Sequence, residues 1–542
     1  MDRIPGIAPV LAVALLGATV ACAGPADPAA GTPELRAALF DTIMARTARR
    51  TAFSQPKQHA LGFEPLSAMW SLRDDVVVAD SEEKLFYALA RLSHARRDRH
   101  LDVALVPGGL SLPDSTGIDV WGGPAAPEPR QAPIRVFPDY GVDGPAYFVG
   151  DVADDEALAE GPEAGWAVLS VNGMAIAEYE ANLREWTRHS SLTGLRWKIA
   201  EALTMHTAAL PPELRAEALR LDVEAPDGTR RSVTLPYREA ATLRWEGRSE
   251  PRYPGMQVVR STPTYDLLYP DDGRPLVGLI WYGFRETLVA DVDTLVAIAE
   301  REGWLDHALL VDVTRSRGGS LGAYAIQHMT PRAFKTTFGT VRVSDIIEPF
   351  VEAKRADFAA RDINDGGVPE VVDDGEWLMA WLEEDLMAAL ARGDSVTAPV
   401  PFKLAHAPRD SDGVLPPSAV HFRGPLVVVS GPKGGSHLDQ FNSIIVDNAL
   451  GHVIGMTAGG YSNTWEWEEV LTFPGTDTPV VGFMWNIGHT VRPNGEVLEG
   501  NPAAVDEWVP LTAENTLVYY ELLFERVLAH LSDLGHPAGQ RR

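Results

Sequence analysis

Hydrophobic and polar positions divide the chain into segments of different periodicity. Across residues 33–105 apolar residues recur at three- and four-residue spacing, which predicts an N-terminal layer of amphipathic helices. Residues 145–237 contain alternating strand-like segments around the tight-turn pair Asn172-Gly173, which predicts a separate β-rich module. Residues 252–535 alternate short apolar runs with helical segments, with an acidic, mostly helical insertion at 341–422. The pattern therefore predicts a multidomain α/β protein.

One stretch of the last segment carries a candidate nucleophile. Residues 426–429 form a continuous apolar run, which predicts a strand buried on both faces, and a turn with three glycines and a proline follows it. Ser436 comes next, before an amphipathic helical pattern and a second apolar strand at 452–455. This order places a hydroxyl at a helix N-terminus beside backbone N–H groups, which suits a nucleophile that needs an oxyanion hole. The alternative is a serine that only caps the helix.

Another predicted apolar strand, residues 308–313, lies earlier in the chain and also leads into a glycine pair. With the Ser436 stretch it resembles the core of the tail-specific (C-terminal processing) and tricorn-core serine peptidases. In that family one strand ends in Asp-x-Arg-x-x-Gly-Gly, and the nucleophilic serine lies upstream of an Ile-Gly-x-x-Thr-x-Gly-like strand end. The corresponding residues here are Asp312, Arg315, Gly318 and Gly319 for the first motif, with one residue more between Asp and Arg than in the family pattern. For the second motif they are Ile454, Gly455, Thr457 and Gly459 downstream of Ser436, with one residue fewer between Gly and Thr.

The resemblance implies an architecture and an oxyanion hole. It implies a PDZ-like β-rich module at 145–237, for which a purely structural hairpin is the alternative, and a crotonase-like α/β catalytic core at 252–535. It implies that Ser436 is the catalytic nucleophile. It further implies that backbone N–H groups near Gly318, Gly319 and His437 stabilise the oxyanion.

The sequence indicates the general base, which would accept the proton of Ser436, less directly than it indicates the nucleophile. The tail-specific branch uses a lysine, but that position falls on or near Tyr461, and no lysine follows Lys433, which we interpret as a surface charge. The chain is therefore more similar to the tricorn-like branch, in which a histidine is the base and a glutamate orients it. By this resemblance His100 is the base, although Arg99 replaces the usual glycine or serine, and Glu499 is the orienting carboxylate. The alternatives are His437 and His489 for the base and Glu496 for the carboxylate.

The N-terminus predicts export. Arg3 precedes an apolar run and small residues, which is typical of a secretory signal peptide at 1–22 and is too short for a comfortable membrane span. Cys22, the one cysteine of the chain, stands where a bacterial lipoprotein signal places its lipidated cysteine, although Thr19 departs from the usual leucine. We therefore expect a membrane lipid anchor and a periplasmic or outer-membrane location, with ordinary secretion as the alternative.

The amino-acid composition excludes some classes of binding partner and one kind of covalent crosslink. A formal charge of −28 opposes sequence-independent nucleic-acid binding, which depends on Lys and Arg neutralising phosphates. A single cysteine excludes an intramolecular disulfide. We predict no cofactor and no metal, a polypeptide substrate, and an oligomeric state that the sequence leaves open. The leading hypothesis is a serine endopeptidase with a Ser-His-Glu arrangement. The alternative is a catalytically inactive relative that binds peptides or apolar ligands.

Overall fold

The computed structural model describes residues 28–158, 161–247, 249–285, 287–360, 374–401, 407–463 and 465–540. Helices and several β-sheets are both present, so the predicted mixed α/β class is confirmed. The predicted signal peptide and Cys22 lie outside the described residues. Within the described part, every helix is too short or too polar to cross a lipid bilayer.

The N-terminal region is helical. The hydroxyl of Thr32 caps its first helix by accepting a hydrogen bond from the N–H of Leu35, and Ser81 caps its last helix by accepting from the N–H of Lys84. The apolar faces of four of the N-terminal helices share one core with part of the insertion and with two strands of the C-terminal region. The helices are Pro33–Arg50, Ser54–Leu61, Pro65–Trp70, Arg73–Val78 and Glu82–His94.

The β-rich module is built on an antiparallel sheet. The turn pair Asn172-Gly173 has positive φ at both residues, as a tight hairpin turn requires, and it joins two paired strands. Two helices, Ile176–Arg184 and Leu192–Leu203, bury their apolar faces against this sheet. The strands are Ile134–Pro138, Tyr147–Val152, Ala167–Val171, Met174–Ala175, Ala218–Glu224 and Arg230–Pro236.

A seven-stranded sheet forms the centre of the C-terminal region. Its first three strands pair antiparallel and all later pairs are parallel. In spatial order the strands are Met256–Ser261, Tyr265–Pro270, Leu276–Trp281, Ala308–Asp312, Leu426–Ser430, His452–Gly455 and Glu507–Trp508. The carboxyl ends of the parallel strands lie at one edge of the sheet, and this edge carries the candidate nucleophile.

Helices cover both faces of this sheet, which explains the continuous apolar runs of its central strands. One face packs against the helices Leu288–Glu302, Gly322–Met329 and His437–Asp447. The opposite face packs against the C-terminal helix Tyr519–Asp533.

The insertion packs on the N-terminal layer. Trp381 is buried and stacks on Trp465 with ring centroids 5.4 Å apart, so the tryptophan side chains of this segment contribute to packing. The helices of the insertion are Ile347–Ala360, Asp374–Ala380, the π-helix Trp381–Met387 and Ala388–Arg392. Smaller sheets use the strands Val103–Ala104, Arg130–Gln131, Met205–His206, Arg238–Glu239, Gly283–Phe284, Arg317–Gly319, Phe334–Lys335, Phe338–Val341, Val400–Pro401, Val414–Leu415, Glu466–Thr472, Pro479–Asn486 and Gly488–Val491.

Candidate active site

Ser436 lies at a sharp turn between a buried strand and a helix. The strand Leu426–Ser430 ends in the glycine turn, and the helix His437–Asp447 begins directly after Ser436. Ser436 has φ 61° and ψ −122°, a backbone conformation that costs a residue with a side chain about 1–3 kcal/mol. Its side chain makes no capping hydrogen bond, so the simple helix-cap interpretation is wrong. The hydroxyl is instead available to other groups.

His100 is the group that meets this hydroxyl. Its Nε2 atom lies 3.3 Å from the Oγ of Ser436, slightly beyond the usual distance between a nucleophile and its base. The turn that carries His100 is held by the backbone N–H of His100, which donates to Oδ1 of Asp98 at 3.0 Å. Burial lowers the pKa of His100, and the cations Arg99 and Arg188 add to this effect while nearby carboxylates oppose it. A lowered pKa keeps the imidazole neutral near pH 7, as a proton acceptor requires.

Glu499 lies close to His100 without a direct hydrogen bond to it. One ligand atom each from Asp98, His100 and Glu499 lie within 4.8 Å of one another. The Nδ1 atom of His100 is buried and has no hydrogen-bond partner among the described residues. The carboxylate of Glu499 is instead held by the backbone N–H of Ser462 at 3.0 Å and by Nζ of Lys57 at 3.2 Å.

Lys57 is a buried cation that the sequence pattern does not reveal. Only 1% of its side chain surface is exposed, and its ammonium also donates to the carbonyl groups of Arg96 and Arg97. Burial, reinforced by the charge of Asp98, raises the pKa of Glu499, and Lys57 opposes that shift. Lys57 therefore favours the ionised carboxylate in a setting that otherwise favours the neutral acid. Nothing in its local sequence distinguishes it from a surface lysine.

Gly318 lies against Ser436, and its neighbour Gly319 lies against the backbone of Phe284. A Cβ atom on Gly318 would lie 2.8 Å from both the carbonyl oxygen of Gly435 and the Cβ of Ser436, and 3.3 Å from the nitrogen of His437. A Cβ on Gly319, where φ is 147°, would collide with the carbonyl oxygen of Phe284. Only glycine therefore allows this backbone to approach the serine so closely. The structure thus brings Gly318 and the nitrogen of His437 to the serine.

Asp439 is a second buried charge that the sequence pattern does not reveal. It lies on the helix that follows Ser436, and it accepts hydrogen bonds from the N–H groups of Gly460 and Tyr461 at 3.1 and 3.0 Å. The carbonyl of Tyr461 in turn accepts a hydrogen bond from the N–H of Ser436 at 2.6 Å. Burial raises the pKa of Asp439 to about 7, against the effect of these hydrogen bonds. Asp439 therefore holds the loop at Gly460 and Tyr461, and this loop in turn holds the backbone of Ser436.

The alternative histidines have other partners. Nε2 of His437 accepts a hydrogen bond from the N–H of Gly322 at 2.6 Å, so this ring nitrogen is occupied. His489 bonds Thr340 and the carbonyl of Ala52 through its two ring nitrogens. These hydrogen bonds of the two rings go to residues other than Ser436. The alternative carboxylate, Glu496, is exposed, and Nδ2 of Asn501 donates to it at 3.0 Å.

Lys433 and Tyr461 lie in surroundings that differ from those expected from the sequence. The surface interpretation of Lys433 is wrong, because its side chain is half-buried in a cavity wall, and burial beside Arg315 lowers its pKa to about 8. Tyr461, near the place of the family lysine, packs its ring edge-on against His100 at 5.1 Å. Burial raises the pKa of Tyr461 to about 12. Tyr461 therefore stays neutral near pH 7 and acts as an apolar wall of the site.

A metal is a poor fit to the acidic residues near His100. Asp98, His100 and Glu499 could each offer one ligand atom. Glu499 is already paired with Lys57, whose positive charge would repel a cation. Asp98 accepts from Asn486 and from the backbone of His100. We therefore treat this group as a network of buried charges around the histidine.

The geometry can be compared with known proteins. No protein-family model matches the sequence, and no curated protein matches it. The chain is similar to the structure of mature CPAF in complex with lactacystin, with 15% identity, a TM-score of 0.68, and coverage of 92% of this chain and 98% of that chain. A second structure of mature CPAF gives 14% identity, a TM-score of 0.67, and coverage of 92% and 97%. This likeness shows that the two chains share a fold.

A weaker similarity links the chain to the photosystem II D1 C-terminal processing protease. The identity is 11%, the TM-score is 0.40, and the alignment covers 88% of this chain and 93% of that chain.

Proposed function

We propose that this protein is a serine endopeptidase that hydrolyses peptide bonds of polypeptide substrates. The observation that carries the proposal is the 3.3 Å contact between Oγ of Ser436 and Nε2 of His100, which joins residues 336 positions apart in the sequence. The positive φ of Ser436 supports it, because strained backbone concentrates at functional sites. The fold shared with CPAF agrees with this function.

The proposed reaction is acyl transfer in two steps. His100 takes the hydroxyl proton of Ser436 while the oxygen attacks the scissile carbonyl carbon, and the imidazolium then gives that proton to the leaving amine. Backbone N–H groups near Gly318, Gly319 and His437 would hold the oxyanion. Water, deprotonated by the same histidine, hydrolyses the acyl-enzyme and restores Ser436.

Glu499 has a positioning role in this proposal. Its distance from His100 is short enough for an ionised carboxylate to stabilise the imidazolium that forms during acylation. Lys57 favours the charged form of that carboxylate, because its positive charge opposes the rise in the pKa of Glu499 that burial causes, and Asp98 supports the turn that carries His100. The Ser-His-Glu arrangement thus works here through charge proximity, because the described residues show no hydrogen bond between His100 and Glu499.

Chemical labelling tests the nucleophile. A fluorophosphonate probe should label the wild-type protein at Ser436, and mass spectrometry of the labelled peptide should locate the adduct. Labelling should vanish in Ser436→Ala and slow strongly in His100→Ala, because the alkoxide forms only with its base. A folded wild type that takes no label and cleaves no unstructured polypeptide would favour the alternative, an inactive relative that binds peptides or apolar ligands.

The module at 145–237 is proposed as a PDZ-like peptide-binding unit on a crotonase-like core at 252–535, alongside the helical layer at 33–105. Its antiparallel sheet and the hairpin at Asn172-Gly173 support this assignment. A peptide carrying a photoreactive group should crosslink to this module in the full-length Ser436→Ala protein. Crosslinks confined to the core would leave the module a structural spacer.

Anchoring at the cell envelope is the proposed location. The position of Cys22 after an apolar run supports lipidation, and hence a periplasmic or outer-membrane lipoprotein with a signal peptide at 1–22. Replacing Cys22 with Ser should move the protein from the membrane fraction to the soluble fraction. A wild type that is already soluble outside the cytoplasm would support ordinary secretion instead.

A further inference from the structure

A cavity of about 510 Å³ is lined by the β-rich module and by residues that are sequence neighbours of the candidate active site. The module contributes residues of the helix Leu192–Leu203 and of the strand Ile134–Pro138. The ionisable residues of its wall are seven cationic side chains and one carboxylate, Glu201. The cations are Arg99, Arg135, Arg188, Lys198, Arg315, Arg317 and Lys433. This local excess of positive charge is the reverse of the whole chain, whose formal charge is −28.

Some of these charges are neutralised within the protein. Arg135 pairs with Glu250 at 2.7 Å, Lys198 with Glu201 at 2.8 Å, and Arg188 with Asp102 at 2.9 Å. The other four, Arg99, Arg315, Arg317 and Lys433, form no salt bridge with any residue that the structure describes, although Arg315 donates to the hydroxyl of Tyr520 and to the carbonyl of Ser249. Like charges held together in a partly buried wall repel one another, and a bound anion would relieve that repulsion.

The unpaired cations belong to the segments that carry the proposed chemistry. Arg99 directly precedes the base His100, and Arg317 directly precedes Gly318. Lys433 lies three positions before Ser436 in the glycine turn. An anionic group in the cavity would therefore be held close to the reacting serine. Apolar walls formed by Phe137 and Trp197 would accept the uncharged parts of the same ligand.

We infer that this cavity binds carboxylate groups of polypeptide substrates, so that the protein selects chains with acidic character near the cleaved bond. The inference rests on the proposed function for its link to cleavage, but the binding itself does not require activity. The carboxylates could belong to Asp and Glu side chains or to the C-terminus of the chain. Both sources share the chemistry that Arg and Lys recognise.

Binding to the full-length Ser436→Ala protein tests the cavity without turnover. Three fluorescent peptides of one length are compared: one with glutamates and an amidated C-terminus, its glutamine counterpart with the same amide, and the glutamine peptide with a free carboxylate. We expect at least one carboxylate-bearing peptide to bind about tenfold or more tightly than the uncharged one at low ionic strength. Added salt should reduce this difference. Tighter binding of the glutamate peptide would show recognition of side-chain carboxylates, and tighter binding of the glutamine peptide with a free C-terminus would show recognition of the terminal carboxylate.

Substitutions of the cavity cations test whether they cause the preference for carboxylate-bearing peptides. In the Ser436→Ala background, the pair Arg317→Gln and Lys433→Gln should remove most of the preference and change the affinity for the uncharged peptide less than about twofold. Arg301→Gln is the matched control, because Arg301 is exposed on the helix Leu288–Glu302, which contributes nothing to the cavity wall. Arg99→Gln provides a second cavity variant if the pair impairs folding.

The outcomes separate the two proposals. Equal affinity for all three peptides, or a preference that survives in the cavity variants, would overturn the inference. Carboxylate-selective binding by a protein whose Ser436 is never labelled would support the cavity and overturn the peptidase proposal.

Discussion

The two halves of the candidate active site are held by different kinds of interaction. On the nucleophile side, a buried parallel strand, a helix and closely packed glycines fix Ser436 and leave no room for additional atoms. On the base side, His100 follows a helix end and is surrounded by buried charges, chiefly Asp98, Glu499 and Lys57. The first half depends on backbone contact, and the second depends on charge balance. The two halves should therefore respond differently to substitution.

Removing either reacting group should have the largest effect. Ser436→Ala and His100→Ala should each lower kcat by about 10⁴-fold or more, because nucleophile and base act as one unit. Turnover of an unstructured polypeptide measures this loss, and circular dichroism checks that each variant folds. Arg301→Gln, which lies outside both halves, should keep full activity. Full turnover by His100→Ala would remove the base side from the mechanism.

Adding a methyl group to the backbone that packs against Ser436 should cause the next largest loss of activity. Gly318→Ala places Cβ 2.8 Å from the backbone of Gly435 and from Ser436, so the backbone that we propose as the oxyanion hole must move away. We expect kcat to fall about 10²–10³-fold, the loss seen when one oxyanion donor is removed. Gly283→Ala on the paired strand is the matched control, because the nearest atom to its Cβ, outside its chain neighbours, would lie 3.5 Å away. Equal activities of the two variants would contradict the close-contact explanation.

This difference also explains what the sequence could predict. The nucleophile side is encoded locally: an apolar strand, a glycine turn and Ser436 follow one another, so the strand–turn–helix order can be recognised from the sequence alone. The place of Gly318 beside it was implied by the family resemblance, and the parallel pairing of the two strands in the structure brings their carboxyl ends to one edge of the sheet. The mixed α/β class followed from the same periodicity.

The base side could not be predicted in this way. His100 was identified through a family resemblance, and its contact with Ser436 depends on how the N-terminal layer packs on the core. Lys57 has the local sequence of an ordinary short helix, and its burial arises only from tertiary packing. Asp439 and Lys433 follow the same rule, because the loops and the module that surround them are distant in sequence. Local pattern does not specify which charges become buried together.

Removing one partner of the buried charge pair should destabilise the base side. Lys57→Met leaves Glu499 without its cation in a buried position, which should lower the free energy of unfolding by about 3 kcal/mol near pH 7. Adding Glu499→Gln should restore much of this loss, since no unpaired charge then remains. Urea unfolding of the two single variants and the double variant measures the coupling. Strictly additive losses would show that the two residues act independently.

The smallest expected effect is a shift in the pH dependence of catalysis. His100 acts as a base only when neutral, and burial lowers its pKa, so the acid limb of kcat/KM should lie at a lower pH than an unperturbed histidine would give. Arg99 also lowers this pKa by its positive charge. In Arg99→Gln the imidazole should protonate more readily, so the acid limb should move to higher pH.

An uncharged peptide substrate is needed for this measurement, because Arg99 also lines the basic cavity. Arg97→Gln is the matched control, since Arg97 lies in the same turn but is exposed to solvent, where water and salt screen its charge. Its acid limb should coincide with that of the wild type. If Arg99→Gln and Arg97→Gln give the same profile, the charge of Arg99 does not act on His100, and desolvation alone sets the protonation of the base.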